Sequence, residues 1–65
     1  MSETPVIPTA EKLACAEREL KMRKKVYPRW VEEGKMSEGK ATHELACIEA
    51  LITDYRGAAE KERLI

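Results

Sequence analysis

The sequence has no phenylalanine, a single tryptophan and two tyrosines, so any core must be built mainly from aliphatic side chains. It also has little chain to build one with. Sixty-five residues make one domain at most, and a domain of that size buries only about 60% of the surface its unfolded chain exposes. Net charge is missing too. Twelve basic and twelve acidic residues cancel, which removes any general pull toward nucleic acid or an anionic membrane. No apolar run approaches the roughly 18 residues that suggest a membrane span. The start, Met1-Ser2-Glu3-Thr4-Pro5, has no basic region followed by an apolar stretch, so no secretory leader is expected. Without export, Cys15 and Cys47 are expected as reduced thiols in a cytoplasmic protein.

The parts of a catalytic centre are absent as well. There is one histidine, no glycine-rich phosphate loop, and no nucleophile with a base and an orienting acid at a recognisable spacing. Glu32 and Glu33 are adjacent, and neighbouring helical residues do not face each other. The expectation is a non-enzymatic protein with no cofactor. His43 and Cys47 are four apart, a spacing at which two helical side chains can share a metal. Two ligands fall short of the three or four that zinc takes, and Cys15 should lie ~13 Å out of register along a helix pair. That offset also excludes an intramolecular disulfide. No metal site is expected, and the thiols read as small buried side chains.

What is present is helix. Residues 1–8 hold two prolines and read as a flexible lead-in. Thr9 suits an N-cap, with Glu11 in the first turn, and Ala10 to Tyr27 contains neither glycine nor proline. Pro28 removes a backbone hydrogen bond and clashes with the Lys24 carbonyl, so the chain there must either kink or break. Leu13, Ala16, Leu20, Tyr27 and Val31 keep one stripe when about 100° per residue is carried through Pro28, which favours a kinked helix over about 10–33. Gly34 reads as a left-handed cap and 34–37 as the turn. Ser37 is the next N-cap, with Met36 and Ala41 at the positions of a hydrophobic staple.

A second helix, over about 38–56, carries Ala41, Leu45, Ile48, Leu51, Ile52 and Tyr55 on one face. Gly57 is expected to end it, leaving 58–65 as a tail. The fold class is therefore all-α, an antiparallel helical hairpin over residues 9–57 with its first helix kinked at a proline, pairing into a dimeric four-helix bundle. The reason for pairing is a surplus. Cys15, Met22, Val26 and Trp30 widen the apolar arc of the first helix to roughly 180°, against the ~100° that a surface helix needs. One partner helix cannot cover that arc, so a homodimer is expected through these four residues, which then engages another protein. The competing expectation is that Leu64 and Ile65 fold back over the patch.

The opposite side of the first helix carries Arg18, Lys21, Lys25 and Arg29. Such a basic ridge can sit against phosphates, so a nucleic-acid-associated accessory role is the alternative. The plainer reading is the solvated side of an amphipathic helix, balanced by Glu17, Glu19, Glu32 and Glu33.

The block Val26-Tyr27-Pro28-Arg29-Trp30-Val31, followed by Gly34-Lys35-Met36-Ser37 and by Ala41 and Glu44-Leu45, resembles short uncharacterised helical proteins encoded in bacterial genomes, often in prophage-like regions. The resemblance covers roughly residues 17–56. It implies a bacterial or phage accessory protein of the cytoplasm and no catalytic residue.

Overall fold

A computed structural model describes residues 5–64. Helix α1 spans Thr9–Glu32 and helix α2 spans Glu38–Leu64, and the two pack against each other as a hairpin. There are no strands among the described residues. The expected lead-in falls partly on residues 1–4, and Ile65 also lies outside the described residues.

Helix α1 begins one residue earlier than the sequence suggests. Pro8 is its N-cap, in an extended conformation (φ −58°, ψ 147°), and its carbonyl accepts from the backbone N–H of Glu11 and Lys12 at 3.0 and 3.1 Å. Thr9 is therefore inside the helix and makes no capping hydrogen bond. The fixed φ of proline already turns the chain into the helix, so a side-chain cap is not needed to start it. The helix then runs unbroken past Pro28. Buried Tyr27 and half-buried Val31 flank that proline and line one shallow cleft with Ala41 and Leu45 of α2, so packing on both sides of it holds a single helix together.

The turn is built from the backbone. Gly34 has φ 75° and donates to the Val31 carbonyl at 3.1 Å, while Lys35 N–H donates to the Trp30 carbonyl at 2.8 Å. This pair of bonds is a Schellman closure, which requires a left-handed residue at the position of Gly34. Lys35 also pairs with Glu33 at 3.2 Å, offsetting acid at the negative end of α1. Ser37 Oγ then accepts from the Lys40 N–H at 3.1 Å, capping α2 as expected.

Helix α2 does not stop at Gly57. It continues to Leu64, so 58–64 of the expected tail are helical. Glycine costs only about 1 kcal/mol in a helix interior. Here the following Ala58-Ala59-Glu60-Lys61-Glu62-Arg63 run consists of good helix formers, with Lys61 and Arg63 favourably placed in the last turn. Leu64, expected to fold back over the apolar patch, is 78% exposed at the helix end.

The core is thin. Ala16, Ile48 and Ile52 form its buried centre, with Leu13, Leu20 and Tyr55 half-buried around them. Tyr27 and Ala41 are buried nearer the turn. Leu51, expected on the packing face, is 45% exposed. It sits about 100° round the helix from Ile52, which is the residue that points at α1. No large side chain among the described residues is fully enclosed. The molecule measures 46 × 34 × 16 Å, a single layer of helix where domains ordinarily have two.

Candidate functional site

With one layer, whatever does not face the helix–helix seam faces solvent. The four residues singled out on the second apolar arc of α1 all lie there. Cys15 is exposed, Val26 is half-buried, and Met22 and Trp30 retain 46% and 36% of their surface. The Trp30 ring leans on Tyr27, with centroids 5.6 Å apart and planes tilted by 32°. The indole is thus steadied by a core residue while keeping much of its surface in water.

The arc is not continuous. Glu19 and Arg23 fall within it, joined by an ion pair of 2.9 Å between Arg23 Nε and Glu19 Oε1. This pair sets two charges between the core stripe and the outer apolar residues Cys15, Met22 and Val26. The sequence reading missed the interruption, although the four-residue spacing of the two charges signals it. On the Cys15 side, the apolar surface extends onto α2. Ile7, Cys15, Ile48, Leu51 and Tyr55 line a groove of about 500 Å³ together with Glu11, Lys12 and Glu19. Leu51 and Ile7 are the residues missed there, because each belongs to a surface assembled from separate segments.

Arg18, Lys21, Lys25 and Arg29 are all exposed, and among the described residues none of the four takes part in an ion pair. The ion pair that ties the helices on the exposed surface uses other residues, Arg56 to Glu17 at 2.9 Å.

Both cysteines are free and exposed, not buried as the sequence reading held. Cys47 lies beside His43, its Sγ 3.5 Å from Nε2, and the carboxylate of Glu44 joins them. One ligand atom from each of the three residues falls within 4.8 Å of the others. Helical neighbours point about 100° apart, yet the Glu44 side chain is long enough to turn back toward the pair.

No helix among the described residues is long and apolar enough to cross a membrane. Comparison with protein-family models, curated proteins and solved structures finds no match.

Proposed function

We propose that this chain is a non-enzymatic interaction module that self-associates into a dimeric four-helix bundle, with α1 bent at Pro28. The observation that carries the reading is surface area. The chain exposes 5447 Å², whereas a compact monomer of 7.4 kDa exposes only about 4,200 Å². The surplus exceeds roughly 800 Å², the area each partner buries in an interface of standard size. Its radius of gyration, 15.0 Å, likewise exceeds the roughly 11 Å of a globular chain of this length. A second copy laid on the exposed apolar flank supplies the missing layer.

The flank contains the residues such a contact uses. Trp30, Met22 and Val26 contribute apolar surface along α1, and Cys15 with Leu51 contributes more at the groove toward α2, with the Glu19–Arg23 pair beside them. Trp30 is the anchor, since large aromatic side chains supply much of the energy of an interface. The bend at Pro28 follows from the lost hydrogen bond and the clash with the Lys24 carbonyl. A cytoplasmic setting and engagement of a further protein belong to the same proposal. Light scattering on the purified chain tests it. Twice the chain mass at micromolar concentration, falling to one chain in Trp30→Ala, is the expected outcome. A stable monomer at that concentration sinks the reading.

A second reading is favoured by the unpaired ridge of Arg18, Lys21, Lys25 and Arg29, which fits the phosphates of nucleic acid. Binding to a DNA or RNA pool that disappears with salt, and with Lys25→Glu plus Arg29→Glu, would support it. Binding indifferent to both changes would dismiss it.

A further inference from the structure

We propose that His43, Glu44 and Cys47 bind a single divalent transition-metal ion of the zinc class on the exposed first half of α2. The geometry of the histidine and the cysteine carries the argument. Zinc sits about 2.3 Å from a thiolate and about 2.0 Å from an imidazole nitrogen, so two tetrahedral positions lie ~3.5 Å apart. The separation of Cys47 Sγ from His43 Nε2 is 3.5 Å. The four-residue helical spacing therefore presents sulfur and nitrogen at the bite of one ion, without any change of backbone.

Glu44 supplies the third donor. Its carboxylate lies within 4.8 Å of both other ligand atoms, and a modest side-chain rotation brings it into the same sphere. Nitrogen, oxygen and sulfur from one helical turn make three protein ligands, and water takes the fourth position, as in open zinc sites. The donor set is one that zinc, cobalt and nickel accept. His43 and Cys47 are exposed, so an ion reaches them directly.

Charge favours the ion. On binding, the Cys47 thiol releases its proton to solvent and the thiolate sulfur donates its electron pair to the metal. Thiolate and carboxylate together neutralise the divalent charge, and nothing is oxidised or reduced. Two cations are near: Lys40, one turn earlier on α2, and Arg23 of α1, on which the charge of Glu44 acts. The Arg23 guanidinium is already paired with Glu19 and hydrogen-bonded to the Glu44 backbone carbonyl. The Glu44 side chain is thus not required to balance it.

The site stands independently of dimerisation, because all its ligands come from one helix. Titration of the reduced full-length chain with cobalt(II), followed by displacement with zinc(II), tests it. The expected result is one cobalt per chain, with a thiolate-to-metal absorption band and the intense visible bands of four-coordinate cobalt. Cys47→Ser abolishes the charge-transfer band, His43→Ala weakens binding at least tenfold, and Glu44→Gln weakens it several-fold. Cys15→Ser leaves it unchanged. Circular dichroism of each variant separates loss of binding from loss of helix. The absence of a band at micromolar cobalt overturns the proposal. So does a band that survives Cys47→Ser or depends on Cys15, or undiminished affinity in His43→Ala or Glu44→Gln.

Discussion

The guanidinium of Arg23 on α1 donates through Nη1 to the backbone carbonyl of Glu44 on α2 at 3.0 Å, across 21 positions of sequence. The same side chain pairs with Glu19 at 2.9 Å and lies 5.9 Å from the centre of the Tyr27 ring. One arginine thereby joins the two helices, sets a charge beside the exposed apolar flank and borders the core. The hydrogen bond to Glu19 raises its pKa above the ordinary arginine value. A raised pKa gives stabilisation that is fully present below the ordinary arginine value and lost only on approach to the raised one. The contact is therefore insensitive to pH near neutrality.

Replacing Arg23 by methionine should lower unfolding free energy by about 1.5–3 kcal/mol, the range for a hydrogen bond to a charged group. Urea denaturation measures it. Arg23→Lys should recover only part of the loss, since a single ammonium lacks the fork that serves Glu19 and Glu44 together. Arg56→Ala, at an exposed ion pair, should change stability by less than about 1 kcal/mol.

Ile52 and Leu51 are sequence neighbours with opposite expected behaviour. Ile52 is 4% exposed at the centre of the core, and Ile52→Ala should cost about 2–4 kcal/mol. Leu51→Ala removes a half-exposed side chain and should leave the isolated hairpin nearly as stable. If the flank is an interface, Leu51→Ala instead weakens association, which sedimentation equilibrium detects as a larger dissociation constant.

The melting temperature of the wild-type chain should rise with protein concentration, because association stabilises the folded state by mass action. Trp30→Ala should flatten that dependence, and Arg29→Ala should not. A melting temperature independent of concentration over a hundredfold range counts against self-association.

Two glycines are expected to respond in opposite directions to alanine. Gly34 has φ 75°, with nothing within 4 Å of an added Cβ, so the cost of Gly34→Ala is backbone strain alone, about 1–2 kcal/mol. Gly57 lies in open space inside α2, and Gly57→Ala should stabilise the chain by about 0.5–1 kcal/mol. Thermal denaturation of both variants separates the two cases.

Several local features were legible because their causes are local. Gly34 was readable as a left-handed cap, and Ser37 as the acceptor for an exposed N–H of α2. Other features misled for equally physical reasons. Gly57 carries a propensity penalty, but a run of helix formers on its C-terminal side outweighs it. Thr9 has the chemistry of a cap, but Pro8 sets the entry angle first.

The candidate surfaces divide in the same way. The basic ridge and the second apolar arc are properties of one helix and follow from residue spacing. The Cys15–Leu51 groove joins residues 36 positions apart, and which residues flank it depends on how far each helix is rotated toward the other. The Glu44 carboxylate meets His43 and Cys47 through its side-chain conformation, which residue spacing does not set.

By itself, then, the sequence determined two helices, the turn between them and the breadth of the apolar arc on α1. These depend on backbone propensity, capping and the 3.6-residue period, all of which act within a few residues. Only the tertiary structure decided that Ile52 rather than Leu51 is core, that Arg23 reaches Glu44, and that both thiols face solvent. Each of those outcomes depends on the rotation of one helix about its axis relative to the other. That angle is set by side-chain packing across the seam and is not encoded in either helix alone.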